Sequence, residues 1–299
     1  MAQVGEISTP AMLRLRGLID VAGQLLPASS SYRFAAADLP AEEDDTTFSV
    51  LTYNVNFAFA RQAGDPCARR VIEAIDASQA DIVLLQETHE GWQQSCEQLV
   101  AKYPHQHFQP GSGAGGNAVL SRWPVSEFQV LPLPERVEGS WFPAIIAVVS
   151  APQSIASTEL VIAGVHLRPP LEADGAAFLS TASETGLVRL AEIEELVRST
   201  ASRAPSIVVG DWNEQDSGHA LTWLHRQCDF QDAVQEHVPR GKETHRWPFA
   251  WGMEMKKRLD HIAYSPALLQ CHGCGVVTGY ESGASDHQPV LARFSCRRM

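Results

Sequence analysis

Six short polar stretches each sit at or beside an apolar run, and together they hold the residue types that hydrolyse a phosphate ester. Asn54 follows Leu51-Thr52-Tyr53, and Gln86-Glu87 follows Val83-Leu84-Leu85. His166 follows the run Val161 to Val165, and Asp211 with Asn213 follows Ile207-Val208-Val209. Asp260 stands in Arg258-Leu259-Asp260-His261-Ile262, and Asp286-His287 precedes Pro289 and Val290-Leu291-Ala292. A carboxylate directly after a buried run is costly unless it is paired or binds a metal. Glu87 and Asp286 are carboxylates of that kind, joined by two amides, two imidazoles and two further aspartates. Such oxygen-rich donors suit a hard cation, Mg²⁺ or Mn²⁺. The sequence has no Gly-x-Ser-x-Gly elbow for acyl transfer through serine, and no His-x-x-x-His pair or multi-cysteine cluster for zinc. Carboxylates, a metal and histidines suit phosphoryl transfer to water, where phosphorane charge must be neutralised and a water oriented. Any one stretch read alone is an ordinary turn; six in this order point to one site.

The elements that must bring them together alternate. Strands are expected over 48–53, 81–85, 118–120, 125–131, 144–149, 159–165, 206–209, 259–264 and 290–294, with the continuous apolar run at 81–85 suiting a strand buried on both faces. Asp65-Pro66 places a cap and a first-turn proline before a helix with apolar face Ala68, Val71, Ile72 and Ile75. A second helix is expected over about 91–103. Thr181-Ala182-Ser183-Glu184 fits a capping box opening a third, which would bury Leu187, Leu190, Ile193, Leu196 and Val197. The glycine-rich stretch 111–116 lacks a following Gly-Lys-Ser/Thr and is not a phosphate-cradling loop by pattern. Ahead of these, residues 8–26 read as an amphipathic helix docked on the domain, in preference to one lying on a membrane, and 38–47 as an acidic linker. The expected organisation is therefore an N-terminal helix and linker over 1–46 and one catalytic domain over 47–299.

With 299 residues, 44% hydrophobic and 19% charged, the chain is an ordinary globular α/β sequence. Its net charge of −12 argues against general polyanion binding, because duplex binding is dominated by phosphate neutralisation. The six cysteines are scattered and read as unpaired thiols, Cys271-His272-Gly273-Cys274 included. No 18-residue apolar stretch and no secretory leader pattern appear, so no transmembrane segment is expected, and the expected location is cytoplasmic.

The stretches Leu51–Asn54, Leu85–Glu87, Asn117–Pro124, Val165–Leu167, Gly210–Asn213, Arg258–Ile262 and Ser285–Pro289 resemble the endonuclease/exonuclease/phosphatase superfamily, of deoxyribonuclease I-like fold. The resemblance spans residues 48–294. It implies a four-layer sandwich of two packed mixed β-sheets flanked by helices. It also implies roles: Glu87 as principal Mg²⁺ ligand, with Asn54 and Asp286 near the metal; Asp211 on the attacking water; Asn213 orienting water and phosphate. His287, held by Asp260, and His166 would contact the phosphate. Where many nucleases of this family carry an arginine or tyrosine that reaches the phosphate, this chain reads Gly139-Ser140-Trp141-Phe142-Pro143, and Arg168 is the candidate substitute.

The substrate clue lies in residues 240–258. Arg246, Lys257 and other basic residues are interleaved with Trp247 and Trp251, next to Asp260. Basic and aromatic residues beside a hydrolytic site suit a nucleic acid or nucleotide with stacked bases. A phospholipid (sphingomyelinase-like) or inositol-phosphate hydrolase is the alternative, and a catalytically silent binding module is the third. The apolar membrane-inserting hairpin that would favour a lipid is not seen outside the N-terminal helix.

Overall fold

The computed structural model describes residues 46–56, 65–111, 113–157, 159–171, 179–204, 206–248, 254–277 and 284–297. The helix expected over 8–26 lies outside them, as do Trp251 and the linker up to Asp45.

The most apolar runs form the centres of two sheets. Strand β1 (Thr47–Asn54) pairs in parallel with β2 (Ile82–Gln86), which continues to β4 (Asn117–Ser121) and β3 (His105–Gln109). On its other side β1 pairs with β14 (Val290–Cys296) and then β13 (Leu269–Val276), giving a six-stranded sheet. The second six-stranded sheet runs β5 (Val125–Leu131), β6 (Ala144–Val149), β7 (Leu160–His166), β8 (Ile207–Asp211), β12 (Asp260–Tyr264) and β9 (Gln231–Asp232). Its β7–β8 pair is parallel. Strands β10 (His245–Pro248) and β11 (Glu254–Lys257) form a separate antiparallel pair.

Alternation within the central strands builds four layers. Ile82 and Leu84 of β2 face the core between the sheets with Ile145, Ile162, Ile207 and Ile262. Val83 and Leu85 face outward, onto α1 (Pro66–Ser78) and α2 (Glu90–Cys96). On the far side, α3 (Leu133–Arg136), α4 (Leu179–Ser199) and α5 (His219–Cys228) cover the second sheet, and α6 (Ala233–His237) follows β9. This is the expected sandwich of two mixed sheets flanked by helices. Each fully buried Leu or Ile side chain contributes about 1.5–3 kcal/mol, so the two-sided burial of β2 anchors its polar C-terminal end. At α1 the Asp65 carboxylate accepts from the Cys67 N–H at 2.8 Å, the cap anticipated from Asp65-Pro66.

Two helix expectations are corrected. The second helix ends at Cys96 and passes into a 3₁₀ turn, Glu97–Leu99, instead of reaching residue 103. α4 begins at Leu179, two residues ahead of the capping box expected at Thr181. Leu187 is 60% exposed; Ile193 and Leu196 are buried as expected and Val197 packs beside them, with Thr185, Arg189 and Glu192 buried too. All six cysteines are free thiols.

Gly210 ties the fold to the site. Its φ is +149°, and a Cβ there would lie 1.9 Å from the Val165 carbonyl oxygen of the paired strand. Gly210→Ala must push β8 off β7 one residue before Asp211. The expected cost is at least roughly 1–3 kcal/mol, the scale of local backbone strain. A urea unfolding midpoint equal to wild type would contradict this.

Candidate active site

One cross-strand row of each sheet supplies half of the expected cluster residues, Asn54 from the first and His166, Asp211 and Asp260 from the second. Asn54, Gln86 and Asn117 are partners across the first sheet, and His166, Asp211 and Asp260 across the second. Register alone therefore sets these groups side by side at one end of the sandwich. The rows meet where Asn54 Nδ2 donates to Asp211 Oδ2 at 3.0 Å and to Glu87 Oε1 at 2.9 Å. Glu87 follows β2 with φ +62°, and Asn213 follows β8 with φ +51°. Such left-handed non-glycine residues concentrate at functional sites.

Asp211 is the hub. Its Oδ2 lies 3.6 Å from His166 Nε2 and 3.6 Å from His287 Nε2, while its Oδ1 accepts from the Asn213 N–H at 2.9 Å. His287 Nδ1 meets Asp260 Oδ2 at 2.9 Å. Burial disfavours the charged ring, but Asp260 and Asp211 outweigh it and hold His287 well above the ordinary histidine range. His166 Nδ1 faces the Ala114 carbonyl at 3.0 Å, and its ring stacks on Phe142 with centroids 4.2 Å apart. A carbonyl only accepts, so Nδ1 carries the proton and Nε2 is turned toward Asp211. The glycine-rich loop thus receives a histidine.

The Asp286-His287 segment is fastened to both sheets. Ser285 Oγ donates to the Asn54 carbonyl at 2.7 Å and accepts from the His287 N–H at 3.1 Å. His245 forms an isolated bridge with His287, from which the Arg246 N–H donates to the Asp286 carbonyl and the Gln288 N–H to the Thr244 carbonyl. Thr244 Oγ1 in turn accepts from the N–H groups of Leu259 and Asp260.

Exposure separates the carboxylates. Asp211 and Asp260 are buried, whereas the Glu87 and Asp286 side chains keep 14% and 19% of their surface. The open edge of the cluster is therefore the Glu87–Asp286 side. Burial, reinforced by Asp286, pushes the Glu87 carboxyl above its ordinary value despite His166 and Asn54. Burial would also raise Asp286, but the hydrogen bond from His245 and the charges of His287 and His245 hold it well below the carboxylate range. His245, Asp286 and His287 each place a donor atom within 4.8 Å of the others, as do Asp211, Asp260 and His287.

All eight expected cluster residues are thus assembled. Two more join them: Asn56, whose Nδ2 donates to Asp286 Oδ1 at 2.8 Å, and His245, whose Nε2 lies 3.6 Å from Asp286 Oδ2 and whose ring centroid lies 4.5 Å from that of His287. The expected substrate contacts fare differently. The Arg168 guanidinium donates to the Pro169 and Leu171 carbonyls and lies 3.3 Å over the Trp141 ring. Arg246 pairs with Glu243 at 2.8 Å. Lys257 is half-buried opposite His245, its ammonium lowered by burial and by Arg189. Trp247 lies on β10, opposite Met255.

Residues 51–287 match the Endonuclease/Exonuclease/phosphatase family. No curated protein matches the sequence. Among solved structures, a humanized D. rerio TDP2 carrying 14 mutations superposes with TM-score 0.63 at 15% identity, covering 84% of this chain and 99% of that one. D. rerio TDP2 complexed with single strand DNA product gives 0.62 at 14% identity, covering 84% and 99%. An endonuclease/exonuclease/phosphatase from Beutenbergia cavernae DSM 12333 gives 0.61 at 20% identity, covering 84% and 72%. At these identities the superpositions bear on the fold, and the match over 51–287 bears on the family. The chain belongs to the endonuclease/exonuclease/phosphatase family, whose members typically hydrolyse phosphodiester bonds with a metal ion.

Proposed function

We propose that this chain is a Mg²⁺-dependent phosphodiesterase, with Mn²⁺ as substitute, acting on a nucleic acid or nucleotide. The observation that carries the reading is the convergence on Asp211 Oδ2 of Asn54 Nδ2 at 3.0 Å and of His166 Nε2 and His287 Nε2, both at 3.6 Å. A carboxylate flanked by two imidazole nitrogens and an amide suits taking a proton from water beside an anionic phosphoryl group.

The donor set fits a hard divalent cation. Glu87, Asp286 and Asn54 would hold it through oxygen, at the side where the carboxylates reach solvent. When bound, the cation would stabilise charge on the phosphoryl oxygens. The chain's own groups do the rest. Asp211 accepts the proton of the attacking water as its oxygen bonds to phosphorus and an ester P–O bond breaks. Asn213, braced by Nδ2 on the Leu167 carbonyl at 3.0 Å, orients that water and the phosphate. Asp260 accepts from His287 Nδ1–H and, with Asp211, favours the imidazolium, whose Nε2–H can then face a non-bridging oxygen. His166 offers the second imidazole.

Support for a nucleic-acid or nucleotide substrate is the β10–β11 pair, which carries Arg246, Lys256 and Lys257 and is joined to the cluster by the bridge from His245 to His287. The fold similarity to a TDP2 complexed with single strand DNA product agrees with this. EDTA should remove hydrolysis of bis(p-nitrophenyl) phosphate, and Mg²⁺ should restore it; full activity in metal-free buffer would reject the metal role. A Mg²⁺ panel of single-stranded, duplex and abasic DNA, RNA, sphingomyelin and inositol phosphates tests the substrate. Activity on sphingomyelin or inositol phosphates alone would replace the nucleic-acid reading.

A further inference from the structure

Helix α4 turns an unusual face inward. Where aliphatic side chains would pack most simply, Thr185, Arg189 and Glu192 are buried on the ridge that ends in Leu196. Burial pushes the Glu192 carboxyl up to about 7, against its bonds to Ser140 and the Arg168 N–H and the charges of Arg189 and Arg168. Ionisable groups in such a place need specific partners, and their partners lie in the loops beside the cluster.

The two side chains grip one residue. Glu192 Oε2 accepts from the main-chain N–H of Arg168 at 2.9 Å, and Arg189 Nη1 donates to the main-chain carbonyl of Arg168 at 2.8 Å. Strand β7 ends at His166, so the peptide groups of Arg168 lie beyond its ladder and are held by side chains instead. Between the grip and His166 stands Leu167, whose carbonyl accepts the Asn213 amide and whose N–H donates to the Asp211 carbonyl. Each ionic side chain also reaches a second loop. The other oxygen of Glu192 accepts from Ser140 Oγ, two residues before the Phe142 ring that stacks on His166. Arg189 Nε lies 3.5 Å from Glu214 Oε2, next to Asn213, and Glu214 Oε1 accepts from the Leu221 N–H of α5.

We propose that Glu192 and Arg189 are positioning residues that set the His166 ring and the Asn213 amide by fixing Arg168, Ser140 and Glu214. The inference rests on the proposed phosphodiesterase reading for its kinetic consequence, but its geometric claim stands apart. Neither side chain touches the reacting atoms. Small displacements of reacting groups cost rate far more than binding, so kcat should carry the effect. Glutamine in place of Glu192 can keep both contacts, accepting from the Arg168 N–H through oxygen and donating to Ser140 through nitrogen.

The test measures kcat and KM on bis(p-nitrophenyl) phosphate with saturating Mg²⁺, and the ¹⁵N resonances of the His166 ring in metal-free protein. Glu192→Ala should lower kcat by roughly 10–100-fold with KM within about threefold, and should shift the His166 resonances. Glu192→Gln should return both to near wild type. Arg189→Met and Ser140→Ala should shift the same resonances, and they carry the test if Glu192→Ala fails to fold. Wild-type kcat and unshifted His166 resonances in Glu192→Ala or Arg189→Met would overturn the inference. So would a Glu192→Gln variant as impaired as Glu192→Ala. A wild-type protein inactive on every phosphoester would sink the proposed function and leave the resonances to decide the positioning claim.

Discussion

Asp211→Asn should lower kcat on bis(p-nitrophenyl) phosphate by on the order of a thousandfold, the scale expected when a general base is removed from a preorganised site. The substitution is nearly isosteric. Its oxygen can still accept from the Asn213 N–H, which bonds Oδ1 at 2.9 Å. Its new amide would face Asn54 Nδ2, now 3.0 Å from Oδ2, and two donors would then meet in a buried place. That mismatch costs about 1–3 kcal/mol, so a modest fall in unfolding free energy accompanies the kinetic loss. The two readouts separate the causes. A variant that stays folded at the assay temperature and loses kcat supports Asp211 as the proton acceptor. A folded variant within tenfold of wild type removes Asp211 from that role and leaves the two imidazoles to orient the water.

What the chain disclosed in advance follows from how its elements are buried. Strands β1, β2, β6, β7 and β8 are buried along their length except for Thr47, and predominantly apolar runs mark them. Polar residues at or just past the ends of such runs were then conspicuous, which is why Asn54, Glu87, His166 and Asp211 could be singled out. Strands β3 and β10–β11 carry mixed polar residues and left no such mark. The apolar spacing of α4 places Ile193 and Leu196 inward as expected, but one turn earlier the helix buries Thr185 and Arg189 and leaves Leu187 60% exposed. His245 escaped because its place depends on a bridge to His287, 42 positions away, and in its own neighbourhood it reads as one more member of a basic, aromatic stretch. Asn56 reads as an ordinary turn residue; its φ of +49° and its bond to Asp286 exist only in three dimensions. Arg168 stands out by adjacency to His166, while its contact with the Trp141 ring, 27 positions away, exists only in three dimensions.

The largest expected effect on stability lies beneath the site, at His261. Its ring is fully buried between two acceptors: Nδ1 meets Asp232 Oδ2 at 2.7 Å, and Nε2 meets the Glu214 carbonyl at 3.1 Å. A carboxylate and a carbonyl can only accept, so both nitrogens carry protons and the ring is an imidazolium. Burial opposes that charge, but Asp232 outweighs it and raises the ring above its ordinary value. A raised folded-state value stabilises the protein fully below the unfolded value of about 6.5. The contribution is lost as pH rises through the folded value. Asp232→Ala strands the buried cation and removes the Asp232 Oδ1 contact to the Val234 N–H at the start of α6. Breaking one side of a buried pair typically costs about 3–5 kcal/mol. Urea unfolding at pH 6 should therefore show a loss of that size, with Asp232→Asn losing less because an amide oxygen can still accept. For both variants the gap from wild type should narrow as pH climbs above the raised His261 value, since the wild-type ring then becomes neutral too. A gap under about 1 kcal/mol at pH 6, or one that stays constant as the pH rises, would mean that His261 is not the imidazolium its partners require. Such a result would also loosen the link from β12 to the segment after Asn213, because the same ring joins Asp260's neighbour to the Glu214 carbonyl.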